Sequence, residues 1–172
     1  MASCVLPILT SMPPAKPGYS LAMIDSDAID WDAPDWEHPA RRAGQLSNAI
    51  VARGAKDEWL ALFAPDASIE DPVGPSVLDP EGKGHHGTEE ISKFWDAHVG
   101  MIEKFHFHVT DSFANGPSCA NVARITTTLP DGTTMAIDCI LIYTVDDQGL
   151  IKSLRAHWEP DRAFATIAKP GS

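Results

Sequence analysis

The hydrophobic period of this 172-residue chain changes at Phe105. Before that point apolar residues recur at helical spacing. After it they alternate with period 2. The predicted strands are 105–114, 119–129, 133–146 and 150–158, divided by PDG at 130–132 and DDQG at 146–149. Both turns carry the glycine expected where φ must be positive. A helical front half followed by an antiparallel meander predicts an α+β fold. A strongly curved sheet wrapped on helices leaves a concave pocket between the layers, a natural place for a ligand.

Three helices are predicted ahead of the sheet. Pro39 to Ala52 places Ala43, Leu46 and Ile50 on one face, and Gly54 ends it. Asp57 to Phe63 turns Trp59, Leu60 and Phe63 to its apolar side, and Pro65 stops it. A third helix starts from Thr88 as N-cap, with Glu89 and Glu90 in its first turn, and aligns Ile91, Phe94, Trp95 and His98.

Between the second and third helices lies LFAPDASIEDPVGPSVLDPEGKGHHG, Leu62 to Gly87. Alternation in ASIED puts Ile69 and Asp71 on one strand face and Glu70 on the other. If Ile69 faces the core, so does Asp71. A carboxylate aimed into an apolar interior loses hydration, and its pKa rises. That suits it to taking and returning a proton near neutral pH. The plainer alternative is that Asp71 only opens the turn made by Pro72 and Gly74.

Composition narrows the partners. A net charge of −11 without a basic stripe argues against nucleic acid and anionic membrane surfaces. Cys4, Cys119 and Cys139 are an odd count without CxxC spacing, so neither a zinc site nor a disulfide framework is signalled, and a reducing cytoplasm is expected. The histidines His85, His86, His98, His106 and His108 match no standard metal spacing; His106 and His108 share the wet face of a strand, with Phe105 and Phe107 inside. Gly82, Gly84 and Gly87 lack the following Lys-Ser or Lys-Thr of a phosphate loop. No metal or cofactor is implied. The opening MASCVLPILTSMPPAKPG is a poor signal peptide and reads as a tail. The polar arm after it carries Trp31 and Trp36, expected to pack on their own domain or on a partner, or to form a lid.

The run LFAPDASIEDPVG, the following ISKFW, the Gly132 hairpin and the ending DQGLIKSLRAHW resemble the ketosteroid isomerases. These belong to the cone-shaped α+β superfamily that also holds nuclear transport factors and SnoaL-type polyketide cyclases. The resemblance runs from about Ala43 to Trp158. It implies 41–165 as a cone of curved antiparallel sheet on about three helices; residues 1–40, tail and arm, precede the part that carries the resemblance, and 166–172 are expected as a C-terminal tail. It also implies a homodimer packed through the sheets.

In that family an Asp base removes a proton beside a carbonyl, and a tyrosine with a neutral Asp holds the oxyanion. The resemblance places the base at Asp71, the tyrosine position at Ser47 and the acidic donor position at Leu141. A supporting tyrosine corresponds to Trp95. The base carries over and the oxyanion pair does not. Ser47, Trp95 or Trp158 offers a weaker donor. Counting from Gly132 puts Arg124 on the inward face as a candidate electrophile; the alternative pairs it with Asp138 or another surface acid. The expected pocket lining is Ile50, Trp59, Phe63, Ile69, Phe94, Val99, Leu141, Leu154 and Trp158, which suits a flat hydrophobic ligand. His157 is expected to point away. The implied function is proton transfer by Asp71 on a hydrophobic, steroid-like carbonyl compound. The alternatives are a non-catalytic binder of steroid- or terpenoid-like ligands, or another reaction on the same scaffold, such as cyclisation, dehydration or epoxide opening.

Overall fold

The computed structural model describes residues 27–171. The tail at 1–20 and Cys4 lie outside the described residues. The strands are β1 (Ile29–Trp31), β2 (Phe63–Glu70), β3 (His85–His86), β4 (Lys104–Asn115), β5 (Ser118–Thr128), β6 (Thr134–Val145) and β7 (Ile151–His157). The helices are α1 (Pro39–Ala52), α2 (Lys56–Leu60), α3 (Gly87–Phe94) and α4 (Pro160–Phe164), and a π-helical turn, Trp95–Val99, continues α3.

All seven strands form one curved, unclosed sheet in the order β1-β4-β5-β6-β7-β2-β3. The β4–β7 meander is antiparallel, and each of its strands ends within a residue of the boundary read from alternation. The sheet as a whole is mixed, because β2 runs parallel to β7 and β1 parallel to β4. With helices packed against its inner face this is the α+β cone expected.

Local chemistry shifts several boundaries. The second helix ends at Leu60, and Phe63 and Pro65 belong to β2. The Leu62 carbonyl accepts the Ile151 N–H at 2.8 Å, and the β2–β7 register then shifts between Phe63 and Ser68. That irregularity accommodates a proline that has no N–H to give. The N-cap of α3 is His86, not Thr88, and its backbone N–H is accepted by Glu90 at 2.7 Å. The two arm tryptophans part company. Trp31 is partly buried on the edge strand β1, whereas Trp36 is 78% exposed. Near the other end, Ala168 bridges Thr134, so the chain returns to β6 after α4.

One apolar cluster fills the space between helices and sheet, with Ile50, Trp59, Ile69, Ile91, Val109 and Ile151 almost fully buried. Trp59 is its centre, 4.6 Å from the Phe63 ring and 5.1 Å from the Trp95 ring. Among the described residues no helix is long and apolar enough to cross a membrane.

Candidate active site

Strand β2 ends by delivering one carboxylate to each side of the sheet. Glu70 pairs with Arg155 at 2.8 Å. Asp71 follows it, partly buried, and its Oδ1 accepts the Trp158 indole N–H at 2.6 Å. The Asp71–Pro72 peptide is cis, and the Val73 N–H donates to the Ala156 carbonyl at 2.9 Å, fastening the turn to β7. Desolvation raises the Asp71 pKa to about 6, against the smaller lowering effect of the Trp158 hydrogen bond. The Asp71 charge also acts on Cys139 and Tyr143, which share the inward, buried face of β6.

Ile50, Trp59, Phe63, Ile69, Phe94, Trp95, Leu141 and Leu154 are all buried in the one cluster, and Val99 and Trp158 pack on it half-buried. Leu141 therefore presents an isobutyl group where the resemblance has an acid. Ser47 is also buried, and its Oγ accepts the Trp59 indole N–H at 2.9 Å. His157 is exposed.

Arg124 stands elsewhere. It is exposed and pairs with Asp138 at 2.7 Å, and Asp138 also receives Arg162 at 2.9 Å. The inward count from Gly132 fails because Arg124 is directly opposite Asp138 in register. Opposed residues on antiparallel strands point to the same face, here the outer one. An open groove of about 780 Å³ reaches from Val73 and Trp158, beside Asp71, to Val122, Arg124, Asp138 and Ile140.

Three polar residues were not singled out from the sequence: Tyr143 and Asn121 on the inner face of the sheet, and Asn48 on α1. Tyr143 is 2% exposed, and its hydroxyl donates to Asn48 Oδ1 at 3.1 Å. Burial pushes its pKa far up, so it stays a neutral phenol. Asn48 and Asn121 are 1% and 0% exposed. Alternation held the signal: Cys139, Leu141 and Tyr143 share one face of β6, and Cys119, Asn121 and Ala123 one face of β5.

Known proteins share this architecture. The family model for SnoaL-like domains matches residues 45–154. A steroid Delta-isomerase of Nocardioides simplex is 32% identical over 118 residues, 69% of this chain and 88% of that protein. The Delta 5-3-ketosteroid isomerase from a Mycobacterium species is 30% identical, with a TM-score of 0.69 over 77% of this chain and 98% of its own. RV0760c of Mycobacterium tuberculosis, solved in complex with estradiol-17beta-hemisuccinate, is 29% identical, with a TM-score of 0.68 over 77% and 99%. The chain belongs to the SnoaL-like domain family of the nuclear transport factor-like superfamily, with ketosteroid isomerase-like proteins among its relatives.

Proposed function

We propose that this protein is a steroid isomerase-like enzyme in which Asp71 moves a proton on a hydrophobic carbonyl compound. The observation that carries the reading is the Asp71 carboxyl at the end of β2, desolvated and poised at about 6. A base with that pKa is largely ionised at neutral pH and still basic enough to take a proton from carbon next to a carbonyl. The relatives named for steroid chemistry support the substrate class. No cofactor is needed for such a transfer.

The test is isomerisation of a 5-ene-3-keto steroid, followed by absorbance of the conjugated product across pH. The rate is expected to rise through pH 6 and level off above it, because the base must be ionised. Asp71→Asn is expected to lose about 10²- to 10⁴-fold. Trp158→Phe removes the indole hydrogen bond on the carboxylate, so its half-maximal pH should move upward. Turnover that survives Asp71→Asn would remove the role given to Asp71.

A second reading is a non-catalytic binder of the same ligands, favoured by the inward Leu141 and the buried, already engaged Ser47. It expects steroid affinity without turnover, unchanged by Asp71→Asn. We also propose a homodimer packed through the outer face of the sheet, where Val122 and Ile140 lie exposed side by side in register.

A further inference from the structure

Two buried amide NH₂ groups where α1 meets the sheet have no partner among the described residues. Among the described residues, Asn48 Nδ2 and Asn121 Nδ2 are enclosed and make no hydrogen bond. Leaving such donors bare costs on the order of 1–3 kcal/mol each, so their persistence calls for an acceptor.

The carbonyl end of each amide is engaged by a hydroxyl. Arg41 Nε donates to Ser112 Oγ at 2.9 Å. Ser112 Oγ in turn donates to Asn121 Oδ1 at 2.8 Å, and the Cys119 thiol adds a second bond at 3.2 Å. The Trp59 indole donates to Ser47 Oγ at 2.9 Å. The Tyr143 hydroxyl, in turn, donates to Asn48 Oδ1 at 3.1 Å. Arginine and indole only donate, so the serine hydroxyls that accept from them keep their own protons to give. The NH₂ groups are left as the free ends.

The two ends lie in one region. A Cβ placed on Gly44 would meet Asn121 Nδ2 at 2.9 Å and the Tyr143 ring at 3.0 Å, and Asn48 is one helical turn beyond Gly44. Asn121 is directly opposite Leu141 in register, and Asn48 follows Ser47. These are neighbours of the two positions where the oxyanion donors are missing.

We propose that the side-chain amides of Asn48 and Asn121 are the polar contacts for the carbonyl oxygen of the ligand, with Tyr143 as the positioning residue that orients Asn48. The inference rests on the reading of this chain as a protein for hydrophobic carbonyl compounds. It supplies the donors that Ser47 and Leu141 do not. Neutral amides are weaker donors than a phenol and a carboxylic acid, so they favour holding a ketone over strong stabilisation of an enolate.

The experiment compares a 3-keto-4-ene steroid with its 3-deoxy counterpart. In the unmutated ¹⁵N-labelled protein, the Asn48 and Asn121 side-chain amide signals are expected to move with the ketone and to stay with the deoxy compound. This readout does not depend on any variant folding. Asn48→Leu and Asn121→Leu, similar in volume, should each bind the ketone about tenfold more weakly and the deoxy steroid unchanged. Tyr143→Phe should lower the ketone-to-deoxy preference while leaving deoxy affinity alone, which loss of packing would not do. If the ketone binds with dependence on Asp71 but both amide signals ignore it, this inference falls alone and the amides hold buried water. If neither steroid binds, the functional reading falls and takes the inference with it.

Discussion

The buried carboxyl of Asp71 carries a cost in stability. Its folded pKa, about 6, lies above the 3.8 of a free aspartate. Between those pH values the folded state binds more protons than the unfolded chain, so stability falls as pH rises through the interval. The penalty is fully present above pH 6 and absent below the unfolded pKa. It amounts to on the order of 3 kcal/mol at most. Asp71→Asn is therefore expected to raise the melting temperature at pH 8 and to leave it unchanged near pH 3.5, as read by calorimetry at the two pH values. Equal effects at both would mean that the carboxyl is not held ionised against its surroundings. If Asp71 is the base proposed above, the same substitution would stabilise the fold and remove the base, the trade expected of a residue kept for its chemistry.

At the scale of elements, α1 is set against the sheet by the absence of a side chain. A Cβ on Gly44 would press on Asn121 Nδ2 and on the Tyr143 ring, at 2.9 and 3.0 Å. Gly44→Ala gains roughly 1 kcal/mol of helix propensity. It also forces α1 off β5 and β6, at a cost of about 1–3 kcal/mol. The expected balance is a net loss of stability in urea titration, with no change in the slope. A net gain would show that the helix moves freely over the strands. The interior of β4–β7 was legible in the sequence because period-2 alternation reports one wet and one dry face directly. The ends of α2 and α3 were not. Helical spacing continues through Phe63, but pairing of the chain with β7 claims that residue for the sheet. His86 caps α3 because Glu90 reaches back to it, a contact that helix propensity does not register.

Across the whole molecule, the sheet has a dry inner face committed to the core and an outer face that keeps Ile140 at 44% exposure beside Val122 at 38%. Charged neighbours on that face, such as Arg124 and Asp138, satisfy one another within the chain. A two-fold contact across it would cover the apolar row without stranding a charge. Sedimentation of the purified protein is expected to give a dimer, and Ile140→Asp a folded monomer. A wild-type monomer at every concentration would remove the sheet-to-sheet contact.

The fold class, the four long strands, the inward turn of Ile69 and the family resemblance of the chain were all readable from the sequence. Each depends on periodicity or on a short run such as EDPVG, and such local patterns survive without knowledge of what they pack against. The outward place of Arg124, the Trp158 hydrogen bond on Asp71 and the meeting of Asn48, Asn121 and Tyr143 were decided only by tertiary structure. Register between strands depends on loop length and bulges, and the sharing of donors depends on which side chains meet across 71 or 95 residues of chain. Those are distances in space, and composition and spacing do not contain them.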